Sequence, residues 1–378
     1  MIRRPIWTEF IEQAWRDRPL VWMTGVRRVG KTTLAKMFPE AIYLNCDLPS
    51  IVRKLEDPES FYHSVSEGNI IIFDEIHRLQ DPSLVLKIGS DEFPGFKILA
   101  TGSSTLEATK KFRDSLTGRK TSVVLLPVIW DECLEHFGLK DFDHRLLYGG
   151  LPESLLSEKL NPAFFTEWMD SFYARDIQEL FHVRNRTGFL KLMHLLFRSS
   201  GNLIDYTQLS KMSGLSRPSV MTYLEALRIS NAIYLLSPFH GGGRRELTQR
   251  PKCYAFDTGF VSFFKGWGEI REEDRGILWE HLILDMLRTY LPGNQLFYWR
   301  DKSSREIDFV IKRQNNQVDI IECKINPEAF SIYPVSEFRS AYPQGRNLCI
   351  SPNLREKYSL RRNDHTIEFI GNIRHYIE

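Results

Sequence analysis

The chain has 378 residues, 42% hydrophobic and 26% charged, enough to bury substantial cores and to make two to four domains. Its net charge of +2 leaves any surface for an anionic polymer to local clustering. Five scattered cysteines with no CxxC pair argue against a disulfide framework or zinc knuckle and for reduced thiols in the cytoplasm, and no apolar run reaches the ~20 residues of a membrane helix.

The charged opening "MIRRPIWTEFIEQAWRDRP" reads as no secretion signal. Five apolar runs then alternate with amphipathic stretches: "LVWMT" (20–24), "AIYLNC" (41–46), "NIIIFD" (69–74), "KILAT" (97–101) and "TSVVLL" (121–126). That alternation predicts buried strands of a parallel sheet covered on both faces, over residues 1–127. Residues 128–189 lose the strands and read as a small helical subdomain. Residues 190–257 read as three helices and two strands, and 258–378 as a helix (276–291) followed by strands at "LFYWR", "IDFVIK", "VDIIECK" and "NLCIS".

Between the first run and a helical segment lies "GVRRVGKTT", Gly25 to Thr33, which fits G-x-x-x-x-G-K-[ST] in its required strand–loop–helix setting. Gly25 and Gly30 let the loop wrap phosphates with backbone N–H groups. Lys31 is placed for the β- and γ-phosphates of ATP, and the Thr32 hydroxyl, with Thr33 beside it, for Mg²⁺. "IIIFDEIH" supplies the complementary acids: Asp74 at a strand end for Mg²⁺, and Glu75 to activate the attacking water. Ser103 in "ATGSS" follows the fourth run and would sense the γ-phosphate, unless it is only a turn of small residues. Arg119 in "LTGRK" is a candidate arginine finger toward a neighbouring subunit, or a solvated surface arginine.

"DYTQLSKMSGLSRPSVMTYLEALRIS" has the form of a helix-turn-helix. Leu209, Met212, Leu215, Val220, Leu224 and Leu227 would share its core, with Ser216 as N-cap and Pro218 in the first turn. The two strands after it would form a wing whose Arg244, Arg245, Arg250 and Lys252 meet DNA phosphates. Arg217, Ser219 and Thr222 offer little base readout, so such contact would carry little sequence specificity. Packing against the ATPase is the competing use of the same fold.

In the last third, Glu280 lies on the helix, Asp308 in the second strand, and Glu322 and Lys324 at the end of the third. If residues 307–312 pair with 318–324, Asp308 meets Glu322 at one end, and Glu322 and Lys324 share a face. Glu280, Asp308 and Glu322 would then hold Mg²⁺ or Mn²⁺ through oxygen, with Lys324 orienting water or stabilising the charge that develops on a phosphate. Alternating charges on an exposed strand are the other reading of a D…ExK pattern.

"GVRRVGKTT", "IIIFDEIH", "ATGSS", "LTGR", "YGGLPE", "YARDI", "YAFDTG" and "REIDFVI…IIECK" occur in that order over nearly the whole chain. Together they resemble prokaryotic AAA-type P-loop ATPases with a C-terminal domain of unknown function. The resemblance implies an α/β multidomain fold: a P-loop parallel sheet, helical lid, winged helix, and a C-terminal α/β domain similar to restriction endonucleases of the PD-(D/E)xK kind. It places Lys31, Thr32, Asp74 and Glu75 at the nucleotide, and Glu280, Asp308, Glu322 and Lys324 in the nuclease-like motif. The lid shows no clear second sensor arginine. The expected protein is a cytoplasmic ATPase, with a nucleotide-dependent homo-oligomer as one expected form. Its ATP state would control DNA engagement, with metal-dependent cleavage at the C-terminal centre. The alternative is an ATP-controlled switch or scaffold whose C-terminal domain only binds.

Overall fold

The computed structural model describes residues 2–377 except 67, 104–105, 107–108, 179–180, 182, 184, 241–249, 292, 294 and 316. Five strands, β1 (Leu20–Thr24), β2 (Ile42–Asn45), β3 (Ile70–Asp74), β4 (Lys97–Thr101) and β5 (Lys120–Val124), make a sheet of order β2-β3-β4-β1-β5. All four pairings are parallel. β1 is buried throughout, as a central strand covered on both faces must be. β5, expected as another buried strand, is half exposed because it is the sheet's edge, and Leu125 and Leu126 lie beyond its end.

The N-terminal helix Pro5–Asp17 sets Trp7, Ile11, Ala14 and Trp15 on one buried stripe. Just before it, Arg4 is buried and grips both carboxylate oxygens of Glu132, at 2.8 and 2.7 Å. The stretch expected as a lid holds helices Trp130–Glu135, Phe142–Tyr148, Pro152–Leu155 and Pro162–Phe172, the last running into a π-helical turn, Tyr173–Gln178.

The middle of the chain has helices Arg186–Arg198, Tyr206–Ser213 and Arg217–Ile229 against an antiparallel sheet of order β6-β8-β7. Its strands are β6 (Asn202–Leu203), β7 (Ile233–Leu236) and β8 (Lys252–Ala255). The two-residue β6 is too short to leave a periodic signal. Ser216 accepts from the Ser219 N–H at 3.2 Å as the N-cap, with Pro218 in the first turn. Met212, expected in the core, is 51% exposed: Leu209 and Ser213 take the inner face of this two-turn helix.

The last sheet has order β13-β14-β12-β11-β10-β9, from β9 (Leu296–Arg300), β10 (Glu306–Lys312), β11 (Val318–Cys323), β12 (Asn347–Ile350), β13 (Tyr358–Arg362) and β14 (His365–Ile370). β13 escapes hydrophobic patterning because it is exposed along its whole length, whereas β14 buries Ile367, Phe369 and Ile370. Their turn was marked by Asn363-Asp364, both at positive φ, the residues a tight hairpin favours. Ser237–Phe239, continuing from β7, runs beside β9: the Phe239 N–H donates to Tyr298 O at 2.6 Å and the Tyr298 N–H to Ser237 O at 3.1 Å. The middle sheet and the C-terminal sheet are therefore stitched by backbone. Helix Glu272–Tyr290 packs on β11, and no described helix is long and apolar enough to cross a membrane.

Candidate functional site

The loop after β1 owes its path to residues at positive φ: Gly25 at 143°, Arg28 at 62° and Gly30 at 101°. A Cβ on Gly25 would stand 2.4 Å from Leu125 O, so only glycine fits there. Lys31 opens the short helix Lys31–Ala35 and folds back, donating to Gly25 O at 2.9 Å and Val26 O at 3.2 Å. Burial lowers its ammonium pKa, against the pull of Glu75, Asp176 and Asp74.

Because β4 lies between β1 and β3, its last residue reaches the acidic strand. Asp74 is buried and accepts three hydroxyls: Thr32 at 2.8 Å, Tyr43 at 2.6 Å and Thr101 at 2.5 Å. Thr101 also accepts the Glu75 N–H at 3.0 Å. Glu75 is left-handed at φ 56°, a costly conformation that surrounding structure must hold. Its carboxylate lies 3.2 Å from His77 Nδ1, while burial lowers the His77 pKa.

The phosphate loop, Lys31, Glu75 and His77 open on a cavity of about 570 Å³, within the range of small-molecule sites. Gly25 to Thr33, Glu75, His77 and Ser103 line it, as do Pro152, Glu153, Phe172, Arg175 and Asp176 of the lid. Asp176 ties the π-helical turn to the loop through Arg27 Nε at 3.0 Å, and the Trp168 indole N–H donates to Arg27 O at 2.9 Å. Sequence reasoning missed Tyr43, His77, Arg175 and Asp176. The "YARDI" motif was the available signal for the last two. Arg119 does not reach this cavity; it pairs with Asp91 at 2.6 Å on the domain's far side.

The basic wing is corrected. Lys252 is buried, 3% exposed, and cannot meet DNA; it pairs with Glu280 at 3.0 Å and Glu306 at 2.6 Å. Arg250 is held by Asp205 at 2.6 Å. Arg244 and Arg245 lie outside the described residues.

The C-terminal acids do come together. β10 and β11 pair antiparallel with Phe309 opposite Ile321, which puts Asp308 and Glu322 at the next register position. Both lie by one ammonium: Lys324 Nζ is 2.7 Å from Glu322 and 3.7 Å from Asp308. Asp308 also accepts the Cys323 N–H at 2.8 Å. Glu280 accepts from Lys252 and from the Tyr254 hydroxyl. Burial, with Asp308 adding repulsion, pushes Glu280 up to about 7 and Glu322 up to about 8. Glu322 Oε1 is buried with no hydrogen-bond partner among the described residues.

The expected triple carboxylate is not assembled as such. Among the described residues no three acidic, imidazole or thiol side chains converge as a metal cage. Lys252 and Lys324 stand against the carboxylates, because like charges at this depth need counter-charges.

Three family comparisons divide the chain. Residues 17–134 match a family described as an AAA domain; residues 139–271 and 275–376 match two domains of unknown function, DUF8612 and DUF4143. An uncharacterized protein of Mycobacterium tuberculosis is 26% identical over 314 residues, covering 80% of this chain and 69% of its own. One of Methanocaldococcus jannaschii is 25% identical over 328 residues, covering 78% and 72%. Among solved structures, a Walker-type ATPase of Pyrococcus abyssi covers 70% of this chain and 96% of its own at 17% identity and a TM-score of 0.45. With the phosphate loop, the acidic strand and the strand order, the AAA match makes the N-terminal third of this chain a P-loop domain of the AAA type.

Proposed function

We propose that the chain hydrolyses ATP with Mg²⁺ and passes its nucleotide state to a C-terminal centre that acts on nucleic acid. The nucleotide residues suit those roles. Lys31, now on loop carbonyls, would turn to the β- and γ-phosphates. Thr32 and Asp74, already in contact, would hold Mg²⁺, which would screen phosphate charge when bound. Glu75 faces the cavity and would take the proton of the attacking water, with Thr101 fixing its backbone. A nucleotide-dependent homo-oligomer is part of this reading, with Arg119 leaving Asp91 for a neighbour's phosphates.

One observation carries the coupling: the segment β8–Asp257 runs from the acidic cluster to the backbone just before the cavity wall. At one end the buried Asp257 accepts the Gly150 N–H at 2.6 Å and the Gly259 N–H at 2.8 Å. Gly150 leads directly into Pro152 and Glu153 of the cavity wall. At the other end Lys252 and Tyr254 bond Glu280. A lid that closes on nucleotide would pull on a strand rooted in the acidic cluster.

In this proposal the middle unit is a winged helix, supported by its helix order and β6-β8-β7 sheet, and the last is nuclease-like, supported by Asp308, Glu322 and Lys324 meeting at one sheet end. The fit to a divalent ion rests on the unpartnered Glu322 Oε1 beside Asp308. A supercoiled-plasmid assay with Mn²⁺, with and without ATP, tests this. The expected result is ATP-dependent nicking, abolished in Asp308→Ala and Glu322→Ala. Identical plasmid profiles for wild type and both variants would favour the second reading, an ATP-controlled switch whose C-terminal domain only binds. The lysines between the carboxylates are what favours that alternative.

A further inference from the structure

We propose that Lys252 is a built-in cation of the C-terminal centre: its ammonium stands where a second divalent ion would sit, between Glu280 and Glu306, so the centre takes one divalent ion, between Asp308 and Glu322. This rests on the metal-dependent reading above.

The two lysines of the cluster differ in how firmly they are held. The Lys252 side chain is 4% exposed and bonds two carboxylates at 3.0 and 2.6 Å. It comes from β8, a strand of the middle sheet buried along its whole length, where a plain hydrophobic residue would otherwise pack. Burying an ammonium there is unfavourable unless anions compensate it. Glu280 and Glu306 supply that compensation, and Tyr254 adds a phenol to Glu280. Lys252 therefore has no route out while β8 stays in its sheet.

Lys324 stands at the strand end, 27% exposed; it bonds Glu322 Oε2 at 2.7 Å, but its hold on Asp308 is long at 3.7 Å, and it is its exposure that sets it apart from Lys252. Its flexible stem can swing to solvent. A hard cation at about 2.0–2.6 Å from oxygen could then take its place between Asp308 and Glu322, engaging the orphan Glu322 Oε1. The loose lysine yields to metal and the trapped one does not. Glu306, outside the predicted set, is thereby a member of the centre, with Arg300 3.4 Å from its other oxygen.

Mn²⁺ binding tests this by electron paramagnetic resonance on the nucleotide-free full chain carrying Asp74→Asn, so that the nucleotide site adds no ion. The expected stoichiometry is one Mn²⁺, lost in Asp308→Asn. Lys252→Met should bind two, and Lys252→Met with Glu280→Gln one again. If Lys252→Met alone unfolds without metal, refolding that needs two equivalents of Mn²⁺ is the same result, and failure to refold with Mn²⁺ overturns the inference. Two ions in the protein with Lys252 intact, or one in folded Lys252→Met, overturns it while leaving the metal-dependent centre standing. No bound Mn²⁺ in the protein with Lys252 intact overturns both.

Discussion

Glu75→Gln should lower kcat for ATP by about 10²–10⁴-fold, the usual contribution of a positioned general base, while ATP still binds. The separation follows from geometry. Glu75 touches His77 and faces the cavity, but the phosphate-facing loop is shaped by Gly25, Gly30 and Lys31, which the substitution leaves alone. Glutamine preserves the side-chain size and the Thr101 bond to the backbone N–H, so the left-handed turn at residue 75 survives. Steady-state phosphate release beside equilibrium nucleotide binding reads the two effects apart. Lys31→Ala should lose both. Turnover by Glu75→Gln equal to wild type would remove Glu75 from the chemistry.

Arg4→Ala should cost about 3–5 kcal/mol of stability, because it leaves a fully buried carboxylate without its partner. Arg4 is 4% and Glu132 0% exposed, and the pair is joined by two parallel bonds. Arg4 also donates to Leu126 O at 3.0 Å and Val29 O at 3.3 Å, so one side chain ties the N-terminus, the phosphate loop and the lid's first helix. The same substitution should therefore raise the KM for ATP as well as lower the urea midpoint. Arg4→Met with Glu132→Leu should recover most of the stability, since no buried charge is stranded. An Arg4→Ala urea midpoint matching wild type would mean the pair contributes nothing.

The nucleotide half could be read from sequence because its chemistry is local. The loop motif, the apolar run before Asp74 and the five-strand rhythm each sit within a few residues, and the structure brings Lys31, Thr32 and Glu75 to one cavity, with Asp74 bonded to Thr32 beside it. Of the groups that were missed, His77 lay within the acidic motif itself, two residues past Glu75, and the others come from other elements. Asp176 reaches Arg27 across 149 residues, and Tyr43 reaches Asp74 from the neighbouring strand β2. Lys252 was misread for a physical reason: beside Arg250 at the end of a glycine-rich stretch it looks solvated. Only the fold reveals Glu280 and Glu306 beneath it. Likewise, the spacing of Asp308, Glu322 and Lys324 predicted their meeting, yet it says nothing of Lys252 between Glu280 and Glu306. β13 was missed because an exposed edge strand needs no hydrophobic alternation.

Hydrogen–deuterium exchange of the Glu75→Gln chain, with and without ATP and Mg²⁺, tests the central claim most directly. The account predicts that nucleotide alters exchange in the phosphate loop and also in β8 (Lys252–Ala255) and the turn of helix Glu272–Tyr290 around Glu280. Changes confined to the loop, the acidic strand and the lid, with β8 and Glu280 untouched, would contradict it.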